Sequence, residues 1–424
     1  MNLTKLMMKL FPLSFTLVVA LVPLGAVRAQ QTNSQWLSAT DRIRYEGLRD
    51  SGCEALYNLD YNLARSRFNE IAHSFPQHPA GPQYLASALL LDALYKSRRL
   101  QASLYSSSTF YTGSEDKADP NLVNQFRTLT REAQRLAEVR LKQYPKDTEA
   151  LYFLGNVAAL KAAFEETVER RHFAALRDGS EAVSKHRQVL ALDPKYVDAE
   201  VTIGMYDYIV GSLPTPVKFV AGLFGAQGSK KRGIATIERV AKTGRVARDQ
   251  ARTLLVILYV REKRYAEAAN QARQLSAQFP GNYLYKIETA DALVSQATMD
   301  GTVKNSARVG APAPALEAYG IYTSLLHDRD VAGTVGLKDL IHFKFGEALL
   351  KTGQNERAAA EFLAAVKVEG ANEGLVTMAH LYAAQSLDAG NRRSEAMVQY
   401  RLVLSRPDVY DAHLQARKAL GENR

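Results

Sequence analysis

The sequence predicts an all-α protein, an α-solenoid of about eight antiparallel helix pairs. Three observations predict it. The first is the stretch Asp339 to Val368, which reads as two short helices around a tight turn. Leu340, Phe343, Phe345, Leu349 and Leu350 recur at roughly helical spacing in its first half, and Ala358, Phe362, Ala365 and Val366 share a face in its second. Gly353 suits the left-handed residue that ends a helix, and Asn355 is placed to cap the next one. The second observation is recurrence. From Gly346 the pattern is apolar at +3, small at +12, aromatic at +16 and aliphatic or Ala at +19, and the other copies add Pro near +24. The third is that no segment of any length alternates in the manner of a half-buried strand.

The offsets return at Gly52 (Ala55, Ala64, Phe68, Ile71, Pro76), at Val256 (Tyr259, Ala268, Leu275, Pro280, with Ala272 in the aromatic position) and at Ala384 (Leu387, Ala396, Tyr400, Val403, Pro407). This pattern resembles the tetratricopeptide repeat, an antiparallel helix pair of about 34 residues. The resemblance implies stacked pairs that bury a face no single pair could bury alone, around a concave surface lined by each first helix. The clearest repeats are about 45–78, 249–282, 339–372 and 377–410. Weaker copies end near Tyr144-Pro145, Asp193-Pro194 and Leu326.

The 424 residues are 46% hydrophobic and 23% charged, which is enough apolar material for one continuous array over 39–424. Residues 1–29 read as an export signal. Lys5 and Lys9 precede an apolar run from Leu10 to Leu24, and Val27-Arg28-Ala29 fits the small-residue cleavage pattern. Retention of the run as an uncleaved anchor is the alternative. Cleavage after Ala29 removes three bases (Lys5, Lys9, Arg28) and no acid, taking the net charge from +10 to +7. Cys53 is the single cysteine, so no internal disulfide is available, and it reads as a buried residue of the first pair. The mature chain has no Asn-X-Ser/Thr sequon, which favours a bacterial periplasm. Export argues against a nucleic-acid partner. It leaves a protein, an anionic lipid or membrane surface, or an acidic glycan.

In chain order, residues 30–38 are polar and read as a flexible lead-in. A first pair spans Ala39 to His78, and Tyr84 to Leu100 reads as a long helix. Insertions fall at about 103–119, 211–233 and 299–314. Asp119-Pro120 opens a helix to Gln143, and Glu149 to Ala163 forms the next. Phe164 to Arg177 continues as a charged segment before a helix from Asp178 to Leu192, and Tyr196 begins another pair. Ala412 to Leu420 should cap the array with a polar outer face.

The insertion at 211–233 is the least ordinary stretch. Leu213, Val217, Phe219, Val220, Leu223 and Phe224 are apolar, and Lys230, Lys231 and Arg232 follow. Arg239, Lys242, Arg245, Arg248 and Arg252 extend the basic run, against Glu238 and Asp249. It reads as a plug in the solenoid, as a lipid contact through Phe219, Phe224, Lys230, Lys231 and Arg232, or as a partner site. Gly204-Met-Tyr-Asp-Tyr208, Gly211-Ser-Leu-Pro214, Phe224-Gly225 and Gly228 to Gly233 resemble the inclusion-body-clearance and lipid-associated tetratricopeptide proteins of eukaryotes. Lys-Lys-Arg stands here where that family tends to have Gly-Asp-Arg. The resemblance implies a non-enzymatic, lipid- or organelle-linked adaptor.

Nothing in the sequence points to catalysis or to a cofactor. Gly225-Ala-Gln-Gly228-Ser-Lys230 lacks the spacing of a phosphate loop. The eight histidines form no metal pair, and His73 and His78 read as surface or capping residues beside Pro76. Glu165 and Glu166 are adjacent and read as a solvated face.

The function this supports is a non-enzymatic, exported protein-interaction scaffold. It would bind a peptide or helix in the concave groove, with a lipid-contacting adaptor or an accessory of polysaccharide export as alternatives. Helical phase assigns the groove to Arg49, Cys53 and Leu56 in the first pair and to Thr253, Ile257 and Arg261 in the fifth. In the seventh it selects Phe343, Glu347 and Lys351, and in the eighth Leu381, Gln385 and Asp388. Ordinary packing between helices is the competing reading of these residues.

Overall fold

The computed structural model describes residues 36–101, 118–213, 215, 218, 227–299, 313–328 and 338–422. Residues 1–29, which the sequence reads as an export signal, Phe219 and Phe224, and most of the three insertions lie outside them. Among the described residues there are seventeen α-helices and no strand. Sixteen form eight consecutive pairs: α1 (Ala39–Tyr57) with α2 (Tyr61–Ser74), α3 (Ala80–Lys96) with α4 (Pro120–Gln143), α5 (Thr148–Thr167) with α6 (His172–Leu192), α7 (Glu200–Ser212) with α8 (Lys230–Thr243), α9 (Arg248–Arg261) with α10 (Tyr265–Gln278), α11 (Tyr283–Met299) with α12 (Ala313–His327), α13 (Lys338–Lys351) with α14 (Asn355–Val366), and α15 (Glu373–Ala389) with α16 (Arg393–Leu404). A last helix, α17 (Ala412–Leu420), follows. The fold is an all-α solenoid of tetratricopeptide-like pairs. The described residues divide into two compact units, one running from 36 to 96 and from 118 to 255, the other from 97 to 101 and from 256 to 422.

The repeated offsets have a steric cause. A Cβ at Gly52 would lie 2.4 Å from the Phe68 ring, and one at Gly346 would lie 2.8 Å from Phe362. The glycine therefore lets the aromatic sixteen residues later pass directly over the first helix. The partners at +12 and +19 complete the seal, and Ala64, Ile71, Ala358 and Ala365 are all fully or almost fully buried. Each buried aromatic contributes on the order of 2–3 kcal/mol. Gly155 plays the same part in the third pair with a different partner, since a Cβ there would meet the His186 ring at 2.3 Å.

The turn between helices of a pair also repeats. Leu59, Lys263, Gly353 and Asn391 all have positive φ (65°, 59°, 77° and 60°), each two residues before its second helix. Only one is glycine, so the turn is set by packing and tolerated by the other three. Asp60, Asp119, Asp147, Ser229 and Asn372 cap helices through side-chain oxygens. Asn355 does not. It lies inside α14, and its amide donates to the Ala389 carbonyl at 3.1 Å.

First and second helices are buried differently. Between 150 and 168 every residue of α5 and its end except Asn156 and Lys161 is buried, and between 283 and 294 only Lys286 of α11 escapes. The second helices keep an apolar stripe, such as Ala268, Ala269, Ala272 and Leu275 on α10.

Several local expectations are corrected. The second long helix starts at Ala80, not Tyr84. The chain breaks after Thr167 rather than running on through a charged segment. Glu165 and Glu166 are buried, and the His172 Nδ1–H donates to Glu166 at 2.8 Å. Trp36 and Leu37 are packed rather than free, because the indole has a hydrogen-bonding partner that the polarity of 30–38 does not reveal. His78 is buried as well, whereas His73 is exposed and bonds the Asn69 carbonyl.

Candidate functional site

The most distinctive polar group on the first helices sits in the second unit. Lys344, on α13 between Phe343 and Phe345, is 2% exposed. Its Nζ lies 2.7 Å from Asp291 of α11 and 2.5 Å from Glu347, one turn along its own helix. Tyr322 of α12 donates its hydroxyl to the other oxygen of Asp291 and stacks on Phe345 at 5.3 Å. Burial alone would push the Lys344 ammonium down, but Asp291 and Glu347 outweigh it and hold it well above the usual lysine range. Burial likewise opposes the Glu347 carboxylate, and Lys344 reverses the balance and holds it low. Tyr382 of α15 is enclosed by the same group, its ring 5.5 Å from Phe343 and its hydroxyl pushed up to about 12 by burial and then by Glu347.

Of the residues chosen by helical phase, three form a strip along α13 and a fourth lies on the neighbouring first helix. Phe343, Glu347 and Lys351 follow one another on α13, with Gln385 on the neighbouring α15. Phe343 is buried against Phe362 and Tyr382. Glu347 is partly accessible, Lys351 is exposed, and Gln385 donates to Gln415 of α17 at 3.3 Å. The strip's centre, Lys344 with Asp291, Tyr322 and Tyr382, is absent from the sequence reading. Its signal was a lone cation inside an aromatic run, Phe343-Lys344-Phe345.

The remaining choices are distributed elsewhere. Arg49 is enclosed, paired with Asp50 at 2.8 Å and set over the Tyr45 ring at 5.6 Å. Leu56, Cys53, Ile257 and Leu381 are buried, which makes them packing residues rather than an open surface. The first helices are closed on more sides than a single-helix phase argument allows. Thr253 is half-buried and bonds back to the Asp249 carbonyl, Arg261 is half-buried, and Asp388 accepts from Arg393.

Around the central insertion, Lys230 lies 5.9 Å from the Tyr208 ring, and Arg232 makes two bonds to Asp207 at 2.5 and 2.7 Å. Arg239 pairs with Glu200, and Arg248 and Arg252 flank Asp249. Much of the basic run is thus neutralised by acids of α7 and α9, leaving Lys231, Lys242 and Arg245 exposed. In the first unit a shallow cleft of about 350 Å³ lies over Leu154, rimmed by Glu138 and Lys142 of α4 and Glu181 and Lys185 of α6. Glu-to-Lys spacing of four is the usual stabilising pattern of an exposed helix. Among the described residues no group of three acids, histidines or cysteines could hold a metal ion, and no helix is long and apolar enough to cross a membrane.

No protein-family model matches the sequence, and no curated protein does. Among solved structures, the chain is similar to a monomeric mutant of IFIT1 solved with Gppp-AAAA, at 11% identity and a TM-score of 0.46 over 91% of this chain and 72% of that one. A thermophilic TPR protein of Thermus thermophilus matches at 16% identity and 0.34, over 59% and 99%. Yeast Tom70 matches at 11% and 0.37, over 90% and 88%. The chain's own helix pairs, two of them with glycine under the aromatic sixteen residues on, carry its description as tetratricopeptide-like.

Proposed function

We propose that the protein is an exported protein-interaction scaffold, binding a peptide or helix of an envelope partner along the strip that includes Glu347, Lys351, Tyr382 and Gln385. The observation behind this is the Lys344 cluster. A buried lysine between two carboxylates contributes less to stability than apolar packing of the same volume. Its presence in an otherwise apolar layer fits a recognition surface better than a structural one. Beside it Lys351 is exposed and Glu347 partly so, leaving charge of both signs for a partner. Export rests on the sequence of residues 1–29, with the periplasm as the proposed destination.

The test is crosslinking and affinity purification of the mature protein from its own envelope, compared with Lys351→Glu and Gln385→Ala. A stoichiometric partner lost from both variants supports the reading. A partner retained by both, or capture only of lipid or acidic glycan, overturns it. Fractionation of the same cells tests the localisation, and a protein confined to the cytosolic fraction would refute export.

A further inference from the structure

Trp36 is the single tryptophan of the chain, and it sits in a socket built by three elements of the first unit. Its indole N–H donates to Asp147 at 2.9 Å. Arg140 of α4 donates to the same oxygen and lies 5.3 Å from the indole ring. The edge of the ring meets His78, with centroids 4.4 Å apart at 74°. Beyond His78, Arg42 of α1 grips Glu149 of α5 through two bonds of 2.8 and 2.9 Å.

The hydrogen bonds around His78 fix its protonation state. Nδ1 accepts from the Ala80 N–H at 3.2 Å, at the start of α3, so the neutral ring carries its proton on Nε2. That nitrogen already faces Glu149 at 3.5 Å. A second proton must therefore go to Nδ1, where it would meet the Ala80 N–H donor to donor. The ring would have to turn, abandoning its contacts with Trp36 and with Phe153 at 5.2 Å. Glu149 pulls toward the charged ring, but both its oxygens are already held by Arg42, and burial opposes the charge more strongly.

We propose that residues 36–38 form an acid-released latch on the first unit, closed while His78 is neutral and opened when it becomes an imidazolium. The groups facing His78 set the direction. Burial resists the charge most, Glu149 and Asp147 favour it, and Arg42 resists it; the balance holds the imidazole below its ordinary value. Tyr45, 4.9 Å away, stays neutral in this range, because burial pushes its hydroxyl up. The closed state thus binds fewer protons than the open one. It is favoured above the ordinary histidine value of about 6.5 and lost as pH falls below it.

The experiment follows Trp36 fluorescence in the intact protein, excited at the red edge where the tyrosines are silent. Between pH about 7.5 and 5.5 the emission should move to the red and acrylamide quenching should rise about twofold or more, while far-UV circular dichroism stays constant. His78→Gln should abolish the change. Exchange of the Ala80 amide, corrected for its intrinsic pH dependence, should accelerate over the same window in the unaltered chain, a readout that needs no variant. Emission independent of pH, an identical shift in His78→Gln, loss of helix across the transition, or an Ala80 amide that stays protected would each overturn the latch.

Discussion

Gly346 and Phe362 lie so close that a single methyl group cannot be placed between them: a Cβ on residue 346 would sit 2.8 Å from the ring. Gly346→Ala should therefore destabilise the second unit by about 1–3 kcal/mol through overpacking. The double variant with Phe362→Leu should recover part of that loss. Urea unfolding of the single and double variants measures both, and a strictly additive pair would show that the two residues do not press on each other.

Lys344→Met removes the cation that Asp291 and Glu347 share. At pH about 7 the variant should lose roughly 3 kcal/mol or more, since buried carboxylates are left uncompensated. The sign of the pH dependence follows from Glu347, whose carboxylate Lys344 holds low. That contribution is present above the ordinary glutamate value of about 4.5 and fades as pH falls through the depressed value. The gap between native protein and variant should therefore narrow toward acid in unfolding curves taken across pH.

Lys263 occupies the same turn position as Gly353, with φ of 59° against 77°, and its side chain is exposed. Lys263→Gly should stabilise by about 0.5–1 kcal/mol, the left-handed strain of an L-residue less the extra entropy of glycine. A higher midpoint of unfolding with an unchanged denaturant slope is the expected result.

Asp339 is completely buried at the start of α13 and accepts from Arg98 Nε at 3.1 Å and from the Asn372 N–H at 2.9 Å. Arg98→Ala should cost about 3 kcal/mol by stranding that carboxylate. Arg98→Lys should recover little of it, because a single ammonium does not reproduce the planar fork by which Arg98 Nε and Nη2 each reach a different oxygen. Thermal unfolding of the two variants side by side tests the contrast.

The parts of the fold legible in sequence were those in which one residue type answers one steric demand. The recurring aromatic at a fixed offset, and a left-handed Gly353 at a turn, could be read directly. Asn355 was misread because a good capping residue one position late becomes an interior donor, and phase could not separate the two. Glu165 and Glu166 looked solvated because adjacent acids usually are. Here α5 is enclosed on nearly every side, which depends on its neighbours rather than on its own pattern. Phase selects Phe343, Glu347, Lys351 and Gln385 as groove candidates, but the cluster around Lys344 lies outside its reach: Asp291 and Tyr322 come to it from about 53 and 22 residues away, beyond any local periodicity.

The Arg42–Glu149 bond joins the first helix pair to the third, skipping the one between. In a simple array each repeat touches only its neighbours and could be peeled away in turn. That route is closed at this end of the protein. Under mechanical tension applied to its N-terminus, the first three pairs should hold together and then give way in one long extension, where an unbraced array would yield in increments the length of a single repeat.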